Sequence, residues 1–178
     1  MKYFKNLQRS MSYLSKKEKV IFLGQAVKYE GTAMSKTLQD IKKDKLLELP
    51  VAEEMQMGMT LGLAMDGYIP VSIFPRWNFL LLAMNQLVNH LDKILIMSNS
   101  GFSPRIIIRT SVGSIRPLNP HVQHIGDFSL VIKKMCKNIN VISLQESNKI
   151  FSEYKKALTR QDKKISILVE HGDYYNER

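Results

Sequence analysis

The sequence predicts a single α/β domain of three layers, in which helices cover both faces of a mainly parallel sheet. Short β-prone apolar segments alternate with longer amphipathic segments, a pattern typical of βαβ units. Arg105 to Thr110 contains three consecutive isoleucines, as expected for a strand that is buried on both faces. The chain has 178 residues, 44% of them hydrophobic, which is enough for one domain with a hydrophobic core.

Five strands are predicted from apolar runs with glycine or proline at their borders. Val20 to Leu23 ends at Gly24, and Tyr68 to Phe74 ends before Pro75, which cannot donate to a strand ladder. The other three predicted strands are Arg105 to Thr110, Asn140 to Leu144 and Ile165 to Glu170. Helices in the intervals would connect these strands in parallel.

The intervening segments have mostly helical spacing. In Lys36 to Leu47 the leucines and Ile41 fall on one side, and Glu53 to Asp66 stops at Gly67, a suitable C-terminal cap. The remaining predicted helices are Phe79 to Leu91, Phe128 to Lys137 and Ser147 to Leu158. Val112 to Gly126 is the longest segment without periodicity, and a loop of this length is more often functional than idle.

Composition excludes several classes of protein. The single cysteine, Cys136, excludes an internal disulfide framework and a paired-cysteine zinc site, and it fits a reducing compartment. Apolar runs such as Phe79 to Met84 are far shorter than a membrane span, which needs about 20 residues. The first five residues, Met1 to Lys5, have no signal-peptide character. We therefore expect a cytoplasmic protein that does not associate with a membrane.

The net charge of +10 raises the question of a nucleic-acid partner. The excess is concentrated at the two ends, because residues 1–48 carry 11 basic and 5 acidic side chains and residues 132–178 carry 10 and 6. Residues 49–131 are neutral, with 5 of each sign. Lysine-rich helix faces are usually solvated surface, so nucleic-acid binding is the less favoured interpretation.

Three groups of residues in or near the neutral region are candidates for a site. Glu53 begins a predicted helix just after Pro50, where backbone N–H groups and the helix dipole favour an anion, although it could also simply complete the helix end. Arg76, Trp77 and Phe79 follow a predicted parallel strand, the place where pockets open in such folds, or the two rings could cap the core.

The third group is a pair of loop histidines. His121 and His124 lie in the long loop and could donate protons or bind anions, or they could have no role. No metal-ligand spacing accompanies them, and no metal site is predicted in this chain. Gly172 to Asn176 lacks the second glycine and the length of a diphosphate–magnesium motif and is interpreted as a chain end.

Taken in order, these segments resemble the pyrimidine-binding domain of transketolase-like thiamine diphosphate enzymes. The nearest match is the N-terminal domain of the beta subunit of the decarboxylating component of 2-oxo acid dehydrogenases. The matching segments are Val20-Ile21-Phe22-Leu23-Gly24, Leu49-Pro50-Val51-Ala52-Glu53, Gly67-Tyr68-Ile69-Pro70-Val71, Asn78-Phe79, Asn85-Gln86-Leu87-Val88-Asn89 with Lys93, and Gln123-His124. The resemblance runs from about Tyr3 to Tyr174, so residues 1–178 are predicted to form one such domain.

The resemblance implies a cofactor site shared between chains. This domain would hold the aminopyrimidine half of thiamine diphosphate, and Glu53 would hydrogen-bond a ring nitrogen and so favour the tautomer that takes the proton from the thiazolium carbon. His124 matches a histidine that faces the substrate, and Arg76, Trp77 and Phe79 fall where the family holds the pyrimidine ring. The covalent chemistry would belong to the cofactor.

The resemblance also implies partners. No diphosphate-binding domain and no C-terminal transketolase domain are recognised in residues 1–178, so a separate alpha-type chain is expected to supply the diphosphate site and Mg²⁺. The expected assembly is α2β2, built around a homodimer of this domain. The reaction class would be decarboxylation of a 2-oxo acid, or transfer of an acyl or ketol group.

Two residues depart from the family pattern. Arg76 stands where a phenylalanine commonly faces the pyrimidine, and Leu49 replaces the threonine before the proline. The alternative is therefore a non-catalytic assembly subunit derived from this domain, and a less favoured alternative is a basic nucleic-acid-binding module.

Overall fold

A computed structural model describes residues 2–113, 115, 119–162 and 164–176. Within them, six strands form one sheet in which every pair of neighbours is parallel, in the order β2-β1-β3-β4-β6-β5. The strands are β1 (Val20–Gly24), β2 (Leu46–Glu48), β3 (Ile69–Ile73), β4 (Ile107–Val112), β5 (Ile139–Ser143) and β6 (Ile165–His171). The predicted parallel α/β sheet is confirmed, with one strand more than the sequence indicated.

Helices cover both faces of this sheet. They are α1 (Tyr3–Ser15), α2 (Glu53–Met65), α3 (Trp77–Leu80), α4 (Ile94–Met97), α5 (Ser129–Met135) and α6 (Ile150–Thr159). One core cluster joins the sheet to α1 and α6, and a second joins it to α2, α3 and α5. The isoleucine run of β4 serves both clusters, because Ile107 belongs to the first and Ile108 to the second.

The predicted helix from Lys36 to Leu47 is wrong. Two 3₁₀ turns, Ser35–Leu38 and Lys43–Lys45, precede the strand β2, in which Leu46 pairs with Phe22. Leu38 and Ile41 are buried as a helix would bury them, so the apolar spacing was correct but the backbone was not. A three-residue edge strand leaves no periodicity to recognise, and its pairing with a distant strand decides its conformation.

Charged side chains hold both ends of β2. At its beginning the ammonium of Lys45 donates to the backbone carbonyls of Lys17, Glu18 and Val20, at 2.9, 2.5 and 3.2 Å. At its end the carboxylate of Glu48 accepts from the backbone N–H groups of residues 26, 27 and 28, at 2.6, 2.9 and 2.7 Å. The short strand and the loop after β1 are thereby fixed together.

The predicted helix Phe79 to Leu91 is present as a mixture of helical forms. α3 continues into a 3₁₀ turn, Leu81–Ala83, and then into a π-helical segment, Gln86–Leu91. The apolar pattern predicted burial correctly, since Leu80, Ala83 and Leu87 are fully buried in the second core cluster. π-Helical segments are frequent at functional sites, and this one packs against α2.

Gly24, at the end of β1, is required by a close backbone approach. A Cβ atom at this position would lie 2.4 Å from the backbone oxygen of Ile73, and the φ angle of +149° is one that other residues rarely adopt. The side-chain amide of Gln56 donates to this oxygen and to the hydroxyl of Ser72, both at 3.0 Å. The ends of β1 and β3 are thus joined to α2.

Cys136 is a buried thiol that should be chemically inert in the native protein. Burial, reinforced by the negative charge of Asp92 and opposed by Lys93, raises its pKa to about 11. An unfolded cysteine has a pKa near ~8.5, so we expect native Cys136 to react with iodoacetamide at pH 8.5 roughly a hundredfold more slowly than in urea. Mass spectrometry of the labelled chain measures this ratio, and equal rates would contradict the burial.

The same shift fixes the sign of a pH effect on stability. The folded state favours the neutral thiol, so the contribution of Cys136 is complete below the pKa of the unfolded thiol. It is lost as the pH rises from that value towards the folded pKa of about 11. Urea unfolding at pH 8 and pH 10 should therefore differ less in a Cys136→Ala variant than in the native chain.

Candidate functional site

The carboxyl ends of all six strands lie at one edge of the sheet, because every pairing is parallel. Glu53 follows β2 at this edge, Arg76 follows β3, and the loop containing His124 follows β4. The candidate residues are therefore on the same side of the domain, as a parallel sheet requires.

Glu53 is the first residue of α2 and is buried, with 9% of its surface exposed. Among the residues that the structure describes, its carboxylate has neither a hydrogen-bond partner nor a counter-ion. The neighbouring Glu54 differs, because it is exposed and accepts a hydrogen bond at 3.0 Å from the side-chain amide of Asn85. Glu53 is therefore a buried residue with an unengaged carboxylate, whereas Glu54 is a surface residue whose carboxylate has a partner.

Arg76 stabilises the loop that follows β4 through two hydrogen bonds. Its Nη1 donates to the backbone oxygens of Gly113, at 2.6 Å, and of His124, at 3.1 Å. Burial lowers the pKa of its half-buried guanidinium, and the carboxylate of Asp173 opposes this effect. Arg76 therefore acts in this structure as a support for the His124 loop.

Phe79 and His124 are in direct contact. The centroids of the two rings are 5.1 Å apart with an interplanar angle of 46°. The Nδ1 atom of His124 is buried and has no hydrogen-bond partner among the described residues. Arg76, Phe79 and His124 thus form one group, which the sequence separated by up to 48 positions.

Trp77 has a different environment from Arg76 and Phe79, with which the sequence analysis grouped it. Its side chain is fully buried in the second core cluster, and its Nε1 atom has no partner in the part of the chain that the structure describes. The indole is thus not accessible to a ligand in this conformation, and it caps the core as the second interpretation of the sequence proposed. No hydrogen bond, ion pair or ring contact among the described residues joins Glu53 to the group around Arg76.

A cavity of about 770 Å³ opens beside this group, within the size range of small-molecule sites. We call it the carboxyl-edge cavity. Its walls come from α1, from the loop after β1 and from the ends of β3, β4 and β6: Phe4, Glu30, Gly31, Thr32, Ala33, Met34, Lys36, Pro75, Arg76, Phe79, Ser111, Gly172, Tyr175 and Asn176.

Sequence reasoning missed most of these walls. Tyr175 belongs to the segment interpreted as a chain end, yet Gly172–Asn176 forms a 3₁₀ turn that packs back against α1. The two tyrosines three and four residues after the end of β6 were the available signal. Phe4 gave none, because the first helix was not predicted.

A buried network lies beneath the cavity. The carboxylate of Glu170 accepts from Arg109 twice, through Nε and, at 3.0 Å, through Nη2, and from the hydroxyls of Tyr154, at 2.5 Å, and Tyr175. Burial is the largest single effect on Arg109 and lowers the pKa of its guanidinium, but the interactions with Glu170, Tyr154 and Tyr175 together raise this pKa above its usual value. Burial and the charge of Glu170 also raise the pKa of both tyrosines. Tyr175 connects this network to the cavity wall.

Within residues 2–113, 115, 119–162 and 164–176, no three histidine, cysteine, aspartate or glutamate side chains gather as they would around a metal ion. In the same residues, no helix has the length and apolar composition needed to cross a membrane.

The geometry defines a class of protein, an α/β domain with a parallel sheet whose carboxyl edge carries a buried glutamate, an aromatic–histidine pair and an open cavity. More narrowly, residues 7–177 match the family described as the transketolase pyrimidine-binding domain, and the chain belongs to this family. The resemblance found in the sequence is therefore confirmed.

Curated relatives are beta subunits of 2-oxo acid dehydrogenases. The chain is 33% identical over 114 residues to the pyruvate dehydrogenase E1 component subunit beta of Staurastrum punctulatum, covering 62% of this chain and 35% of that protein. It is 26% identical over 103 residues to the 2-oxoisovalerate dehydrogenase subunit beta of Bacillus subtilis, covering 56% and 32%. The chain thus spans about a third of the length of these relatives.

A solved structure has the same fold. The protein described as a split gene transketolase, inactive beta4 tetramer, superposes with a TM-score of 0.69 and 15% sequence identity. The superposition covers 96% of this chain and 51% of that one. It confirms the three-layer α/β architecture.

Proposed function

We propose that this chain is the pyrimidine-binding subunit of a split thiamine diphosphate-dependent enzyme that acts on a 2-oxo acid or a ketose. Family membership and the beta-subunit relatives support this proposal. The single observation that carries it is Glu53, a buried residue at the carboxyl edge of the sheet whose carboxylate has no hydrogen-bond partner among the described residues. In this proposal residues 1–178 contribute one domain, and an alpha-type chain contributes the diphosphate site and Mg²⁺.

The residues present fit the aminopyrimidine half of the cofactor. A buried carboxylate can hold a proton shared with a ring nitrogen, which offsets the cost of leaving Glu53 without a partner. Phe79 lines the cavity and offers a ring next to His124. When bound, the cofactor would supply the carbon nucleophile, while Glu53 would handle the proton and His124 would face the substrate.

Arg76 and Trp77 would contribute differently from what the resemblance implies. Arg76 supports the His124 loop through two backbone oxygens and lines the cavity beside Phe79. Trp77, being fully buried, would act on the cofactor only by packing beneath Arg76 and Phe79, its neighbours in sequence. Both remain part of the proposed cofactor-binding set.

A partner chain is proposed to cover Glu53. Val51 and Met55, on either side of it in sequence, are apolar with exposed fractions of 68% and 44%, and a partner chain that covers Glu53 would bury them as well. We propose an α2β2 assembly around a dimer of this chain, in the cytoplasm. Nucleic acid has no part in this proposal.

Calorimetry with thiamine diphosphate and Mg²⁺ on the chain co-purified with an alpha-type subunit tests the proposal. We expect stoichiometric binding by the complex and none by this chain alone, since half of the cofactor site would be missing. A complex that assembles but does not bind the cofactor would instead support the non-catalytic assembly subunit.

A further inference from the structure

A second cavity, of about 210 Å³, opens at the amino edge of the sheet, where the strands begin. We call it the amino-edge pocket, and it is lined by Ser103, Arg105, Arg160, Gln161 and Lys164. Arg105 precedes β4 and Lys164 precedes β6, and the pairing of these two strands brings the two residues close together. β4 and β6 have six and seven residues, so about 20 Å separates this pocket from the carboxyl edge.

Two of the three cations in the amino-edge pocket are unpaired. Within the described residues, neither the guanidinium of Arg105 nor the ammonium of Lys164 has a hydrogen-bond partner or a counter-ion. The hydroxyl of Ser103 has no partner in the same part of the chain either. These three side chains line one concave space without engaging each other, so their N–H and O–H groups are free to bind a ligand.

The third cation, Arg160, is neutralised within the protein. It follows the end of α6 and donates twice to the carboxylate of Asp162, through Nη2 and, at 2.7 Å, through Nε, while its Nη1 donates to the hydroxyl of Ser166 at 3.4 Å. The hydrogen bonds from Arg160 hold the pKa of Asp162 well below its usual range, so this carboxylate stays ionised. Glu153, whose charge also acts on Arg160, is paired with Lys156 at 2.7 Å. Arg160 thus forms a fixed wall of the pocket and adds no net charge to it.

The charge and the size of the pocket select its ligand. Arg105 and Lys164 leave two positive charges uncompensated, which a dianion would balance. A terminal phosphate group carries nearly two negative charges and three acceptor oxygens, enough for one hydrogen bond from each of Arg105, Lys164 and Ser103. A carboxylate has one charge and two oxygens. The volume of 210 Å³ is below the range of sites that enclose a whole small molecule, so the pocket fits a single group of this kind.

The surrounding surface also favours anions. Because all the strands are parallel, the residues that precede them meet at the amino edge. In the described part of the chain, a basic residue stands one or two positions before five of the six strands: Lys19, Lys45, Arg105, Lys137 and Lys164. The acidic residues Glu18, Asp44 and Asp66 lie before β1, β2 and β3, on the half of the sheet away from the pocket. The positive charge that the sequence scatters is thus partly gathered here, where it would attract anions.

We propose that the amino-edge pocket binds a dianionic phosphate group, either inorganic phosphate or the terminal group of a phosphate monoester, through Arg105, Lys164 and the hydroxyl of Ser103. This inference goes beyond the proposed function, because the pocket lies at the opposite edge of the sheet from Glu53. It requires neither a partner chain nor thiamine diphosphate.

Three probes test the ligand class and its source. The complete chain is titrated at pH 8 with inorganic phosphate, methyl phosphate and dimethyl phosphate, and binding is followed by ³¹P NMR. Dimethyl phosphate keeps the tetrahedral shape but carries only one charge. We expect inorganic phosphate to bind with a Kd of about 1 mM or tighter, and dimethyl phosphate to bind at least about tenfold more weakly. Equal affinities for these two probes, or no saturable binding of inorganic phosphate below about 10 mM, would overturn the proposal. Methyl phosphate that binds like inorganic phosphate supports a monoester as the ligand, and much weaker binding supports the free ion.

Matched variants locate the interaction. Arg105→Gln and Lys164→Gln should each weaken the binding of inorganic phosphate at least about fivefold, and the double variant should abolish saturable binding. Lys28→Gln removes the same charge from an exposed residue in the loop after β1, at the carboxyl edge, and should leave the affinity within about twofold. Circular dichroism and the thermal midpoint check that all the variants fold. Affinity retained by the double variant, or an equal loss in Lys28→Gln, would contradict the assignment.

These titrations are independent of the test of the proposed function. A chain that binds phosphate through Arg105 and Lys164 but whose complex binds no thiamine diphosphate would refute the enzyme proposal alone. A complex that binds the cofactor while the chain shows no preference for the phosphate dianion would refute the amino-edge site alone.

Discussion

Replacing Glu53 by glutamine is expected to slow the exchange of the thiazolium proton of bound thiamine diphosphate by at least about a hundredfold. The amide has nearly the size of the carboxylate, so the start of α2 should keep its packing. The glutamine amide cannot share a proton with a ring nitrogen of the cofactor as a carboxylate can. That proton sharing is the role proposed for Glu53, which is buried. Deuterium exchange followed by NMR on the assembled complex measures the rate without knowledge of the substrate.

Glu54→Gln is the matched control for this prediction. It makes the same chemical change one residue further along α2, on an exposed side chain that accepts a hydrogen bond from Asn85. Its exchange rate should stay within about threefold of that of the unmodified complex, because surface polar changes have small effects. Similar losses in the two variants, or no loss in Glu53→Gln, would remove the proposed role of Glu53.

Replacing Glu170 by glutamine is expected to lower the free energy of unfolding by about 3–5 kcal/mol, the usual cost of breaking a buried ion pair. Arg109 and Glu170 are both completely buried, and the carboxylate also accepts from the hydroxyls of Tyr154 and Tyr175. The glutamine would leave the guanidinium of Arg109 as an uncompensated buried charge. Urea unfolding followed by circular dichroism measures the loss.

Two further variants separate the charge from the packing. Glu146→Gln breaks the pair with Lys149 at the surface, where both side chains are more than half exposed, and should change stability by less than about 0.5 kcal/mol. The double variant Arg109→Met with Glu170→Leu removes both buried charges and should recover much of the loss. A single variant as stable as the native chain would show that the pair is not needed for stability.

The strands that the sequence predicted are those with local signals. β1 ends at Gly24 and β3 before Pro75, and the isoleucines of β4 indicated burial on both faces. β2 was assigned to a helix because three residues carry no periodicity, and only the pairing of Leu46 with Phe22 makes them a strand. Local pattern predicts an element when the element is long enough to repeat it.

The site was predicted only in part, for a related reason. Glu53, Phe79 and His124 were singled out by their positions at a helix start, after a strand and in a long loop, and their order along the chain matched a family pattern. The buried pair of Arg109 and Glu170 joins residues 61 positions apart, and the cavity brings Phe4 together with Tyr175. Neither arrangement leaves a mark in neighbouring sequence. The pairing of β4 with β6 creates the first, and the packing of the segment Gly172–Asn176 against α1 creates the second.

The charged clamps of β2 also limit how copies of the chain can meet. An exposed strand edge offers unpaired backbone groups to which another chain can add a strand, a common route to aggregation. Here that edge is only three residues long, Leu46 to Glu48, and Lys45 and Glu48 tie its two ends to backbone groups before and after β1. Extension of the sheet through this edge is thus disfavoured, which leaves the five-residue strand β5, Ile139–Ser143, as the longer of the two sheet edges.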